Sequence, residues 1–309
     1  MPRFVPVADE VWRLQRGHDA ESLFFQAFAN WGHYRGAGGS RQGIYVVTPS
    51  GKLLASANEL NADRLVAMLQ DTLGQWEALD PQDRRRGLDL GSSRGARWED
   101  SCPDDGLVLI ETFRDVSEGF DPDVTPIQPS NRDHAWFSED EARALAHSEE
   151  GAAEAFLRRL ARFHFVDAVR GQALPFANEE LQDLELRISP DAVERDGELR
   201  LRMTGHSTAI AKGPWLMGPS SWTPKREYPR SVSVEIDGSA VWNEAFGEFT
   251  NFELVAIGTR TGHTQINGRG ADDGPAPIGF HFALSKAGAR IPPAYVSVYD
   301  ADWMPSRLE

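Results

Sequence analysis

The chain has 309 residues, more than one hydrophobic core usually serves, so two domains are the default. Hydrophobic residues make up 40 %, with nine Trp and sixteen Phe, which is ample for a packed core and excludes a wholly disordered chain. Lys and Arg number 32 against 47 Asp and Glu, a net charge of -15; that field has the wrong sign for nucleic-acid phosphates or an anionic membrane, so neither is expected as a partner.

The single cysteine, Cys102, cannot form an internal disulfide, so folding does not depend on an oxidising compartment. No apolar run approaches the roughly 18 residues of a membrane-crossing helix, and Asp9 and Glu10 follow Met1 to Val7 without a signal-peptide apolar segment. As written, the chain reads as soluble, acidic and cytoplasmic, or as exported if the natural start lies upstream.

At the N-terminus Phe4, Val5 and Val7 make a strand-like run broken by Pro6, and Asp9 to Gln15 reads as a short helical turn. Asp19 suits the N-cap of a helix over Ala20 to Trp31, with Leu23, Phe24, Ala27, Phe28 and Trp31 on one face. Gly36 to Ser40 is a loop. Ile44 to Val47 and Lys52 to Leu54 read as two strands joined through Pro49-Ser50-Gly51, where proline fixes φ and glycine supplies a permissive corner. Asn61 then caps a helix striped by Leu65, Leu69, Leu73 and Trp76.

This order of strand, helix, loop, two antiparallel strands and helix, with the quoted Thr48-Pro49-Ser50-Gly51-Lys52 turn, resembles the closing half of a thioredoxin-like domain and, in particular, bacterial thioredoxin-related proteins. The resemblance covers residues 1–79, about a quarter of the chain. It implies an incomplete thioredoxin-like segment, and two departures limit what it carries over. The strand and helix bearing the Cys-x-x-Cys pair would precede Phe4, and Gln42-Gly43 stand where such domains place a cis-proline. Dithiol chemistry is therefore not implied by this chain alone.

From Asp80 to Asp105 the composition turns to Arg, Asp, Gly, Ser and Pro, including Arg84-Arg85-Arg86, which reads as a solvated linker between domains. Residues 106–180 read as a mixed helical segment. It holds a strand at Leu107 to Phe113, a capping box Ser138/Glu141 that starts one helix, and a second helix from Ala152 to His164 buried through Phe156, Leu160 and Phe163. Two polar clusters flank these helices, Asn131 to Trp136 and Arg162 to Arg170. A histidine oriented by a carboxylate can act as a general base, which makes His134, His164, Asp167 and Arg170 the candidate catalytic residues. A structural reading competes with it, because a histidine at a helix C-terminus is favoured by the macrodipole alone.

Residues 181–309 read as an all-β domain. Alternation at Leu184-Leu186-Ile188, Leu199-Leu201-Met203, Val232-Val234-Ile236, Phe249 to Ile257 and Ile278-Phe280-Phe282-Leu284 gives six or seven strands, as in an antiparallel sandwich or small barrel. Lys212 to Pro229 is an aromatic loop, and its Trp215 and Trp222, with Trp136, are the candidate ligand-binding aromatics. The eight histidines have no His-x-His or His-x-x-x-His spacing, so no metal site is expected. No nucleotide-binding glycine motif follows a strand, so no cofactor is expected either.

The fold class expected is thus α+β, a partial thioredoxin-like segment plus helices followed by the all-β part. The function expected is a non-redox binding or accessory protein for a small molecule or protein. Two alternatives stand beside it: a hydrolase or transferase with a His/Asp site at the junction of the parts, and an oxidoreductase whose Cys pair lies upstream of Met1.

Overall fold

The computed structural model describes residues 3–7, 11–35, 40–59, 61–85, 106–116, 130–190, 197–212, 229–264, 267–269 and 272–285. Trp215, Trp222 and Cys102 lie outside them. The chain divides into two compact units, Met1–Arg97 and Trp98–Glu309, and is α+β.

The first unit holds α1 (Val11–Arg16), α2 (Ala20–Ala29), β1 (Ile44–Val47), β2 (Leu53–Ala57) and α3 (Ala62–Ala78). Both expected N-caps form: the Asp19 carboxylate accepts from the Ser22 amide at 3.0 Å and the Asn61 side-chain oxygen from the Arg64 amide at 3.1 Å. β1 and β2 pair antiparallel through a turn in which Gly51 has φ of 85°. A side chain there would be strained, and a Cβ would also meet the Phe24 ring at 2.7 Å. The core is small, built from Phe25, Phe28 and Ala29 with Phe24, Tyr45, Val47 and Leu53 against it. The face of α2 differs from the one read from spacing: Phe25 is buried, while Leu23 and Trp31 are 52 % and 65 % exposed. The run Leu23-Phe24-Phe25 permits burial of either side, and the aromatic contacts of Phe25 with Phe28 and Tyr45, at 5.4 and 5.6 Å, select one. At the far end of α3, Arg84 donates to the Leu79 and Glu77 carbonyls, so the first of the three linker arginines closes a helix terminus.

The second unit runs β3 (Gly106–Asp115), β4 (Ser130–Ser138), α4 (Glu139–Ala146), α5 (Ala152–Phe163), a 3-10 turn (Asn178–Glu180), β5 (Leu181–Pro190), β6 (Glu198–Ala211), β7 (Arg230–Asn243), β8 (Glu248–Gly262) and β9 (Ala276–Leu284). Its strands make one seven-stranded antiparallel sheet in the order β4-β3-β9-β8-β7-β6-β5. Among the described residues the strands expected of a sandwich or barrel form a single sheet with β4 and β5 at its ends, and α4, α5 and the segment after them supply the second layer. A boundary at residue 180 does not exist, because β3 pairs with β9 from Leu109↔Leu284 to Asp115↔Ile278. The polar cluster Asn131 to Trp136 forms a strand. Its alternation is hidden because Asp133 occupies an inward position between Asn131 and Ala135.

One face of the sheet is mainly apolar, interrupted by the buried Glu111 and Asp133: Leu107, Leu109 and Phe113 from β3, Met203 from β6, Val232, Val234, Ile236 and Trp242 from β7, Phe252 and Leu254 from β8, Phe280 and Phe282 from β9. Phe156, Leu157, Leu160 and Phe163 of α5 pack there, joined by Phe165 and Phe176. Each Phe-sized side chain buried this way contributes roughly 1.5–3 kcal/mol, which makes this layer the main source of stability. Inward glycines let neighbouring strand backbones approach closely. A Cβ at Gly258 would stand 1.8 Å from the Ser233 carbonyl oxygen, and one at Gly205 2.0 Å from that of Glu185. The expected capping box starts α4, with the Ser138 hydroxyl accepting from the Glu141 amide at 3.2 Å and the Glu141 carboxylate from the Ser138 amide at 2.7 Å.

Candidate functional site

The four candidate catalytic residues divide between two buried polar networks in the second unit. His164 ends α5 and turns into the core, where its Nδ1 lies 2.7 Å from Glu111 Oε2; the two side chains are 2 % and 1 % exposed. Glu111 on β3 stands directly opposite Asp133 on β4, so two carboxyl groups share one apolar neighbourhood. Burial raises the Glu111 carboxyl well above the ordinary carboxylate range. Burial also takes the His164 imidazole down to about 4, with the Asp133 charge opposing and the Arg159 charge adding. Both shifts favour the uncharged forms, a carboxylic acid beside a neutral imidazole. Among the described residues Glu111 Oε1 has no hydrogen-bond partner. His134, on the opposite face of β4, is half-buried and is held below its ordinary value by burial and by the nearby His164; its amide donates to the Asp133 carboxylate at 2.8 Å.

Asp167 and Arg170 belong to the second network. Arg269, in the segment between β8 and β9 and fully buried, sends Nε and Nη2 to the two Asp167 oxygens, each at 2.9 Å, and Nη1 and Nη2 to those of Asp115 at 3.0 and 2.5 Å. Arg170 reaches Asp115 at 2.8 and 3.1 Å, and Arg260 reaches Asp272 at 2.8 Å. Burial alone raises Asp115, but the hydrogen bonds and charges of Arg269 and Arg170 outweigh it and hold the carboxyl below its usual range. Three arginines thus neutralise three aspartates. The dyad suggested by the spacing of His164 and Asp167 does not form, since each is held by a different partner. Spacing along the chain missed Glu111 and Arg269 because their partners lie 53 and 154 residues away.

Of the other histidines, His206 pairs with Asp183 at 3.0 Å, His281 with Glu253 at 2.5 Å, His263 with Asp273 at 3.4 Å and His147 with Glu244 at 3.7 Å, while the His33 ring meets the Gln42 carbonyl at 3.1 Å. Among the described residues no group of three His, Cys, Asp or Glu side chains could hold a metal ion. His281 faces away from the core, as its alternation with Phe280 and Phe282 requires. Of the candidate ligand-binding aromatics, Trp136 is described, and it is 3 % exposed within the core cluster.

An open recess lies elsewhere, in the corner between α4 and α5. Its volume is about 360 Å³, within the range of small-molecule sites. Phe137 of β4 and Phe156 of α5 form the floor, their rings stacked at 4.6 Å. Ala144 of α4 and Ala152 and Ala155 of α5 form the walls, and Glu149, Glu150 and Gly151 the rim. The cavity exists because three alanines stand where longer side chains would close the gap between two helices. The connecting loop is tight, with Ser148 at φ of 52° and Gly151 at 80°. Glu141 also borders the recess, fixed by the capping box and by Arg159, which bonds both its oxygens and the Trp136 carbonyl. The Arg159 guanidinium lies over the Phe137 ring at 4.8 Å, so the floor is held rigidly. In the sequence the only trace of this recess is the alanine-rich opening of α5.

No helix among the described residues is long and apolar enough to cross a membrane. Comparison of the chain with protein-family models, with curated proteins and with solved structures returns no match.

Proposed function

We propose that this chain is a binding or accessory protein, without dithiol chemistry of its own, whose second unit receives a small apolar group in the recess between α4 and α5. The first unit, thioredoxin-like by resemblance, serves as scaffold. The observation that carries this reading is the recess itself: a ligand-sized opening with an aromatic floor, set into the helix-covered face of the sheet, whose other apolar side chains are closed by packing. Apolar floor and walls reward an apolar guest, while the fixed Phe137/Phe156 pair and the tight loop keep the site formed before the ligand arrives. The lone cysteine supports the non-redox part, since one thiol cannot cycle between dithiol and disulfide within the chain.

The test uses a neutral aromatic probe, 2-phenylethanol, titrated against the full chain and followed by NMR. Shifts are expected at Ala144, Ala152 and Ala155, and Ala155→Trp, which fills the recess, is expected to abolish them while leaving the melting temperature within a few degrees. Shifts that ignore the substitution, or that map elsewhere, overturn the proposal.

A further inference from the structure

We infer that the recess selects ligands carrying a cationic head, a protonated amine attached to an apolar or aromatic body. The inference rests on the binding role proposed above and adds the charge of the guest. Three observations carry it. First, the rim holds Glu149 and Glu150, both exposed. No cationic side chain among the described residues is within ion-pair distance of either carboxylate, whereas neighbouring acids are satisfied: Glu139 and Asp140 by Arg143, Glu154 by Arg158, and Glu141 by Arg159. Among the described residues, therefore, two negative charges without a cationic partner sit at the mouth.

Second, the helix terminus opposing them among the described residues is too weakly charged to cancel them. α5 begins beside the recess with Gly151 as its N-cap and no side-chain cap. Its macrodipole amounts to about half a positive charge, which leaves the mouth negative by more than one charge. Third, the body of the guest and its head are separated in the right sense. The apolar Phe137/Phe156 floor lies below and the carboxylates stand at the exposed rim, so an amphiphile enters body first and keeps its ammonium at the solvent edge. The overall charge of -15 adds long-range attraction for cations.

The experiment compares three probes with one aromatic body and different heads: 2-phenylethylamine, 2-phenylethanol and 3-phenylpropionate, each titrated by calorimetry and NMR against the full chain. The amine is expected to bind about tenfold more tightly than the alcohol, as two exposed carboxylates allow, and the carboxylate most weakly. The double variant Glu149→Gln/Glu150→Gln is expected to bring the amine down to the affinity of the alcohol and to leave the alcohol unchanged. Equal binding of amine and alcohol, tighter binding of the carboxylate, or a double variant that keeps the amine preference overturns this inference while leaving the binding role intact. Absence of binding by all three probes overturns both.

Discussion

Glu111→Gln isolates the proton held between β3 and α5. The pair is neutral when folded, Glu111 protonated and His164 uncharged, whereas in the unfolded chain between about pH 4.5 and 6.5 the carboxyl is ionised and the imidazole charged. Both states then bind one proton, and the pair contributes no slope to stability across that window. Above it the folded state keeps a proton that the unfolded glutamate has lost, so the contribution of Glu111 falls as pH rises toward its folded value. Below the unfolded histidine value, the contribution of His164 falls with pH, because the folded imidazole resists protonation until about 4.

The substitution removes the contribution of the carboxyl and leaves that of the imidazole. The introduced amide can still hydrogen-bond to His164 Nδ1, and the burial that lowers His164 is unchanged. Displacing the imidazole from 6.5 to about 4 is worth about 3 kcal/mol, at about 1.4 kcal/mol per pH unit. In the variant this loss is uncovered as the pH falls, whereas in the wild type Glu111 offsets it. The variant should therefore gain on the wild type by about 1.4 kcal/mol for each pH unit above 4.5, until the folded carboxyl itself ionises. Urea unfolding at half-unit steps from pH 4 to 8, read from the buried Trp136 and Trp242, measures the difference directly. All other titrating groups cancel in the subtraction. Parallel stability curves for the two proteins would refute a shared buried proton.

Arg269→Leu should destabilise the second unit by about 3–5 kcal/mol, because it removes the bidentate partner of the buried Asp167 carboxylate and leaves Asp115 with Arg170 alone; Arg269→Lys should recover only part, lacking the fork that grips both. A calorimetric melt of each variant decides this, and no loss in the leucine variant would mean that the carboxylates find water or protonate. That calorimetry has a pH signature, since Asp115 contributes stability above 3.8 that disappears as pH falls through its lowered folded value, and the leucine variant, keeping Arg170 alone, should show a smaller one. Gly258→Ala places a methyl 1.8 Å from a carbonyl oxygen and should cost at least about 1–3 kcal/mol. Gly274→Ala, with nothing within 4 Å, should be close to neutral in the same denaturant titration.

Elements that declare themselves through local chemistry are readable in this chain. Asp19, Asn61 and the Ser138/Glu141 box act within one turn of their helix, and all three caps form. The strands of β5 to β9 are legible for a similar reason, since alternation along one strand suffices to mark it. What escaped is what needs two distant segments. β4 was obscured by the inward Asp133, whose burial makes sense only beside Glu111, and the partition of α2 was settled by Tyr45 across the hairpin. The polar residues His164 and Asp167 stood out correctly as unusual, yet neighbours three apart turned out to serve separate networks. The recess was invisible because it is defined by missing atoms at Ala144, Ala152 and Ala155, and small residues have no pattern of their own.

The Arg269 crosslink has a consequence for the order of assembly. It joins positions 102 and 154 residues apart, whereas the hairpins from β5 to β8 close between sequence neighbours. Long closures carry the larger entropy cost and tend to come last. The ionic knot then latches a sheet already made, and loosening it hastens escape from the native state more than it delays arrival there.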